Sequence, residues 1–336
     1  MVQAEEKPLV TITGVTGFLG AQTALAFLED GSFKVRGTVR STSNAAKIDP
    51  LKKTLGDLFE QLELVEADLL DKDSVVKSIE GSQFVAHTAS PFIQGVKQED
   101  ADTVIKPAVD GTLAVLDGCK AAGVKRVVIT SSMAAISAVA PEDKPEVWDE
   151  THWSNPDRPG GLMPYTKSKY LAEKAAWDYL KDLPEAERFE MVTVNPVLIL
   201  GPAYQTEAFT SGNIFKRLLL GERNPLPKAS MEIVDVRDVA LAHVKALTVD
   251  EAKGHRVIVW KGEFSLKELA DILDTEFTAK GWPIVTEEST EGSINKGKVD
   301  VSPATDILGI KFRDIEDTVL EMARCMIESG FVTKPE

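Results

Sequence analysis

The chain has 336 residues, 43% hydrophobic and 27% charged, a globular composition that excludes a disordered or fibrous protein and suits one large domain or two coupled ones. Its 38 Lys and Arg against 53 Asp and Glu leave a net charge of −15, a surface that repels phosphate backbones and anionic lipid heads and argues against nucleic-acid or membrane partners. No apolar run approaches the roughly 20 residues needed to cross a bilayer.

In chain order, the polar opening MVQAEEKP carries no secretory or transit signature. Leu9–Thr13 then reads as a strand buried on both faces. Phe18, Ala21, Leu25 and Leu28 recur at helical spacing and predict a helix over 18–30 that stops at Gly31. Further strands are expected at Phe33–Val39, Leu62–Val65, Gln83–Ala89, Arg126–Ser131 and Phe189–Asn195. Among them lie a short helix from Asp71 to Gly81 and helices through Val104–Ala122 and Tyr165–Tyr179. This alternation requires parallel pairing through right-handed crossovers, because a tight hairpin cannot join parallel neighbours. The expected architecture is α/β, a doubly wound parallel sheet with helices on both faces.

Beyond Pro196 the rhythm breaks. Residues 196–230 carry GP, NP and LP turn signals around a helix near Ser211–Leu220, and 231–260 again read strand, helix, strand. The remainder holds a Ser265-capped helix, an irregular polar stretch at 285–300 and a helix near Asp314–Glu328. The division expected is a large domain from 1–195 plus 231–260, and a smaller, discontinuous C-terminal lobe from 196–230 plus 261–336.

Thr13-Gly14-Val15-Thr16-Gly17-Phe18-Leu19-Gly20 joins the first strand to the first helix. Gly14 permits a tight turn, Gly17 lets the backbone approach a pyrophosphate, and Gly20 lets the helix pack close to the sheet. Free N–H groups and the positive helix end then face the phosphates, so Gly14, Thr16, Gly17, Phe18 and Leu19 are candidate dinucleotide-binding residues. An acid about 20 residues beyond the glycines would hold the ribose 2′-hydroxyl of NAD. Arg40 stands there instead, with Lys47 beyond it and no acid between Lys34 and Lys47. A guanidinium pairs bidentately with a phosphate where a carboxylate would repel it, which favours NADP(H) over NAD(H); the alternative is a solvated loop charge at Arg40.

Asp68-Leu69, just past the third strand, is placed to meet the adenine, with helix capping as the competing role for Asp68 and Asp71 the better cap. Thr88, Ala89 and Ser90 form a polar turn that would line the cofactor, while His87 reads as a packed strand-end residue.

Tyr165 and Lys169 form a YxxxK pair whose side chains share one helix face. Bringing a phenol from a pKa of about 10 to neutrality takes about 4 kcal/mol, which a unit charge about 4 Å away at an effective dielectric near 20 can supply. Thr130-Ser131-Ser132 ends the strand RVVIT, at the sheet edge where α/β proteins place their sites. A hydroxyl there can donate to a carbonyl while the tyrosine protonates it. No GxSxG elbow surrounds Ser132. His152, His243 and His255 make no metal-ligand spacing, and Cys119 and Cys325 lie outside any CxxC, so no metal, structural zinc or disulfide scaffold is expected.

Together, TGVTGFLG, Arg40, Asp68-Leu69, HTASP, TSS, YTKSK and Asn195-Pro196 resemble the extended short-chain dehydrogenase/reductase superfamily, nearest to its dihydroflavonol reductase-like branch with the cinnamoyl-CoA and carbonyl reductases. The resemblance implies a Rossmann fold, a catalytic set of Ser132, Tyr165 and Lys169, a tyrosine that donates the proton, and a lysine that also binds the nicotinamide ribose. It implies that Pro196 to Ile199 lie beside the nicotinamide. The chain departs from the pattern in places: GLMPYTKSK replaces NWYCYGK, Ser137 stands where flavonoid reductases often hold Asn, and Ala114 replaces the Asn of GTxN. Met133-Ala134 stands where sugar-nucleotide dehydratases carry Asp-Glu.

The function expected is NADPH-dependent reduction of an aldehyde or ketone to the alcohol by a cytoplasmic enzyme. The rival readings are a sugar-nucleotide epimerase or dehydratase on the same fold and a non-catalytic NADP-binding sensor. The 1–195 plus 231–260 part would bind NADP and the remainder the carbonyl substrate. Phe92, Met133, Leu162, Met163, Tyr204 and Phe209 are candidate apolar walls for a small or aromatic carbonyl compound.

Overall fold

A computed structural model describes residues 6–90, 96–207, 209–294 and 297–335. The first part of the chain alternates β1 (Leu9–Thr13), α1 (Phe18–Asp30), β2 (Lys34–Val39), α2 (Ala45–Leu55), β3 (Leu62–Glu66), α3 (Lys72–Ile79), β4 (Phe84–His87), α4 (Asp102–Ala122), β5 (Arg126–Thr130), α5 (Pro164–Asp182) and β6 (Glu190–Pro196). Then come β7 (Leu198–Leu200), α6 (Thr210–Leu219), β8 (Leu226–Lys228), β9 (Ser230–Asp235), α7 (Val236–Thr248), β10 (Arg256–Val259), β11 (Gly262–Ser265), α8 (Leu266–Phe277), β12 (Glu288–Gly292) and α9 (Ile315–Glu328).

Seven strands form one sheet in the order β10-β6-β5-β4-β1-β2-β3, every neighbour parallel. The doubly wound sheet expected from the sequence is therefore present. Successive connections run outward from β1 in one direction and from β4 in the other, so the chain reverses between these two strands. A crevice opens at their C-terminal ends, where sheets of this kind bind ligands. Val10, Ile12, Val85 and Val127 are fully buried because helices cover both faces.

Two smaller sheets complete the chain, β11-β9-β7 and β12-β8. β9 pairs antiparallel with β11 and parallel with β7, outside the large sheet. Ile233 of β9 joins Leu200, Phe215, Leu269, Phe277, Met322 and Met326 in a core of its own.

Several elements differ from the sequence reading: the short strands β7, β8 and β11, and also α2 and β12. α2 was not expected, because SNAAKIDP has weak periodicity and Pro50 signals a break; burial of Ile48, Leu51 and Leu55 on one side outweighs the proline. The polar stretch at 285–300 contains β12, an edge strand of mostly exposed residues that pairs with β8 across a register shift. Its ESTEG sequence has no apolar alternation by which to read it. Among the described residues no helix is long and apolar enough to cross a membrane.

Candidate active site

The β1–α1 turn shows why it needs its glycines. Gly14 has φ +73°, a left-handed conformation, and a Cβ there would stand 2.8 Å from the Ala89 Cβ. A Cβ on Gly20 would collide with the Gly14 carbonyl oxygen. The turn is tied down by Gly17 N donating to Gly14 O at 3.0 Å and Gly14 N donating to Thr38 Oγ1 at 3.0 Å. Gly17 caps α1 without a side-chain hydrogen bond, and the first turn holds no acid. The leading N–H groups thus face the crevice with a positive helix end behind them. Thr16, Phe18 and Leu19 are half-buried around this turn, and the Phe18 ring packs against Phe209 with centroids 5.1 Å apart. Such a close-approach cradle fits a dinucleotide pyrophosphate.

Arg40 lies exposed just beyond β2. Lys47, in the first turn of α2, pairs with Glu207 at 2.7 Å. That lysine, with a smaller contribution from Arg40, holds the Glu207 carboxyl below the usual carboxylate range. Asp68 is exposed at the end of β3, and its Oδ1 accepts from Leu70 N. Asp71, accepting from the Asp73 and Ser74 amides, caps α3, as the sequence indicates. Leu69 packs over Gly111 of α4, whose missing side chain leaves it room.

β4 and the turn after it are stitched to β1. Thr88 Oγ1 donates to Thr13 O at 2.6 Å and Ala89 N to Thr13 Oγ1 at 3.1 Å. His87 Nδ1 shares a hydrogen bond with the same Thr13 hydroxyl. Burial, reinforced by the charge of Lys169, pushes the His87 imidazole down to about 3, so it is neutral near pH 7 and packs as a strand-end residue. Ser90 lines a cavity beside Lys169, together with Leu69, Thr112, Ser131 and Glu173.

Two residues past β5, Ser132 is extended and its Oγ accepts from Ala134 N at 3.1 Å. Tyr165 is the second residue of α5, behind Pro164 at the first helical position. Its side chain hydrogen-bonds to that of Ser132. The residue is 40% exposed, yet its hydroxyl end is desolvated, and this raises the phenol above its ordinary value with only the Ser132 bond opposing. This corrects the expectation that Lys169 draws the phenol down. Burial weakens Lys169 itself, pushing its ammonium down to about 8, while Glu173 pulls the other way. At neutral pH the tyrosine is accordingly protonated, the state a proton donor needs.

Sequence reasoning missed the group behind these residues. Glu173, one turn beyond Lys169, is buried. Its Oε2 accepts from Ser131 Oγ and, at 2.8 Å, from Asn195 Nδ2. Its Oε1 accepts from Arg256 Nε, Thr193 Oγ1 and Trp177 Nε1. Asn195 Nδ2 also donates to the Ser132 carbonyl at 3.2 Å. The available signal was an acid at i+4 from Lys169 on a face otherwise lined by Ala172 and Ala176.

Of the expected wall residues, Met133 and Leu162 are buried and Met163 is 71% exposed near Tyr165 in sequence. Tyr204 lies beneath Lys53 Nζ, 4.7 Å from the ring centroid. Phe209 packs between Phe18 and Phe331, and Phe92 lies outside the described residues. Pro196 is buried at the end of β6, and Ile199 is half-buried in β7. The histidines are engaged separately: His152 with Asp149, His255 with Glu150, and His243 with Thr130.

Comparison with known proteins gives the same picture. The model of the NAD dependent epimerase/dehydratase family matches residues 10–259. Cinnamoyl-CoA reductase 1 of Petunia hybrida is 32% identical, over 97% of this chain and 94% of its own length. The NADPH-dependent methylglyoxal reductase of Saccharomyces cerevisiae is 31% identical, over 94% of this chain and 96% of its own length. The crystal structure of the yeast methylglyoxal/isovaleraldehyde reductase complexed with NADPH superposes with a TM-score of 0.81 at 28% identity, covering 96% of this chain and all of that one.

Proposed function

The chain belongs to the NAD dependent epimerase/dehydratase family, and from that premise we propose that it is an NADPH-dependent reductase converting an aldehyde or ketone to the alcohol. The observation that carries this reading is the Tyr165 hydroxyl, held protonated and hydrogen-bonded to Ser132 one helical turn before Lys169. It is supported by relatives that are reductases along nearly their whole length.

NADPH, when bound, supplies the hydride. The β1–α1 turn would hold its pyrophosphate through the α1 N–H groups, and Arg40 and Lys47 its 2′-phosphate. Asp68 and Leu69 would border the adenine; Thr88, Ala89 and Ser90 would line the crevice between β1 and β4, and Pro196 and Ile199 the nicotinamide end. Ser132 Oγ donates to the substrate carbonyl and fixes its orientation. Tyr165 delivers its proton to the carbonyl oxygen as negative charge develops there. Lys169 would hold the nicotinamide ribose. The contribution of these residues is positioning and electrostatics, in a site partly closed to water.

Met133-Ala134 stands beside Ser132 without the paired acids a sugar-nucleotide dehydratase uses, so the epimerase and dehydratase reading is the weaker one. The buried Met133 and Leu162 and the exposed Met163 suit a small or aromatic carbonyl compound. The direct test is a panel of aldehydes, ketones and flavanonols scored by NADPH oxidation. Turnover of at least one class is expected; a silent panel alongside tight NADPH binding would favour the sensor reading.

A further inference from the structure

Glu173 and Arg256 form an ion pair sealed from solvent, their side chains 0% and 8% exposed. Burying two charges seldom gains stability over an apolar pair of the same size. Arg256 is braced for the purpose: its Nη1 donates to the carbonyls of Glu150 and His152, and its guanidinium stacks 3.6 Å over the Trp153 ring. What the pair holds is the back of the active site. Through Ser131 and Asn195 the carboxylate ties the ends of β5 and β6 together, and Asn195 passes the link to the Ser132 carbonyl. Along α5 it stands one turn from Lys169, whose ammonium is buried.

We propose that Glu173 is a positioning residue of this site: its carboxylate, neutralised from behind by Arg256, keeps Lys169 charged and holds Ser132 in place through Ser131 and Asn195. The proposal rests on the roles given to Tyr165 and Lys169 above. The electrostatic surroundings are simple enough to assign signs. β4 presents His87 to Lys169, and that imidazole is neutral near pH 7. α4 presents Pro107, Ala108, Gly111 and Thr112 to the shared cavity, none of them titratable. α5, the helix of Lys169 itself, supplies Tyr165 and Glu173, and β10 supplies Arg256 behind the latter. Removing the Glu173 charge leaves the burial of Lys169 unopposed and exposes it to Arg256. Removing the Arg256 charge strengthens the carboxylate's hold on the Lys169 proton. The two substitutions therefore act in opposite directions, whereas a merely structural role gives no opposed pair of shifts.

The test follows the Lys169 titration in the cofactor-free full chain, by NMR of 13C-dimethylated lysines, with the signal assigned by its loss in Lys169→Arg. It is paired with the alkaline limb of the kcat/KM profile. Glu173→Gln is expected to move both to lower pH by about one to two units, the effect of a unit charge roughly 6 Å away at an effective dielectric near 20. Arg256→Met is expected to move both to higher pH. Should a single variant fail to fold, the double variant Glu173→Gln/Arg256→Met, which leaves no uncompensated buried charge, keeps the test open, with a smaller shift to lower pH expected. An unmoved Lys169 titration in the folded variants would overturn the proposal. Tyr165→Phe serves as the separate control: full turnover there would overturn the reductase assignment of Tyr165 whatever Lys169 does.

Discussion

Lys47 Nζ lies 2.7 Å from Glu207 Oε2, so a carboxylate from the segment after β7 grips one of the two cations offered to a 2′-phosphate. Glu207 also feels Arg40, so it offsets part of the positive potential proposed above to favour NADPH over NADH. A phosphate arriving there must displace the carboxylate from Lys47. Exposed pairs of this kind contribute little because solvent and salt screen them, so Glu207→Gln is expected to tighten NADPH binding only roughly two- to fivefold at low salt and leave NADH unchanged. Fluorescence titration with both cofactors measures this. Arg40→Ala should weaken NADPH selectively, and tighter binding of NADH than NADPH by the unmodified protein would remove the role given to Arg40.

Tyr165→Phe should abolish proton delivery while leaving the cofactor contacts intact. Loss of a general acid costs typically about 100- to 10,000-fold, so kcat should fall by that order with the NADPH Kd nearly unchanged. Ser132→Ala should lower kcat and raise the KM of the carbonyl substrate, because the Oγ orients that group as well as polarising it. Stopped-flow single turnovers separate this loss at the chemical step from any change in product release. A Tyr165→Phe variant with near-normal kcat would require a different proton donor.

The sheet and the glycine turn were legible because their physics is local in sequence. LVTIT followed by glycines at fixed spacing specifies a buried strand, a left-handed turn and a helix start, and the structure bears each of them out at Thr13, Gly14 and Phe18. The position of Ser132 at a strand end and the shared face of Tyr165 and Lys169 were equally local. The Glu173 network was not, because it joins α5 to β5, β6 and β10, and Arg256 is 83 residues away from its partner. The state of Tyr165 was misjudged for a related reason: spacing shows which lysine is near, whereas desolvation depends on everything packed around both groups. α2 was lost to Pro50, whose local penalty is overcome by burial that only the folded molecule supplies.

The three turn glycines should differ in how they fail. At Gly20 an added methyl meets the Gly14 backbone, which cannot move without shifting the turn itself. Gly20→Ala is expected to weaken NADPH more than about tenfold and to lower Tm by several degrees, as core overpacking does. Gly14→Ala adds a left-handed φ to a contact with Ala89 and should be at least as damaging. Gly17 is exposed in an extended conformation and a Cβ there would stand 3.3 Å from the Gly14 carbonyl oxygen, a tight contact rather than a collision, so Gly17→Ala should lose cofactor affinity with a smaller drop in Tm than Gly20→Ala. Isothermal titration and thermal melts on the same samples separate the two kinds of loss; a stable Gly20→Ala variant with unchanged affinity would contradict the packing argument.

Acid should destabilise the fold through its buried histidines. Burial pushes His87 down to about 3 and His243 down to about 4, from an ordinary value of 6.5. Between those limits the unfolded chain binds protons that the folded chain refuses, so stability rises with pH across that window and falls as pH drops from about 6.5. Each such histidine contributes at most about 1.4 kcal/mol per pH unit. His243 is held at both ring nitrogens, Nδ1 against the Val239 carbonyl and Nε2 against the Thr130 hydroxyl, contacts that a neutral imidazole satisfies as donor and acceptor respectively. A glutamine can supply the same pair without titrating. Urea unfolding at pH 7 and pH 5 should therefore show a smaller loss of stability for His243→Gln than for the unmodified chain, and an equal loss in both would mean that His243 is protonated in the fold.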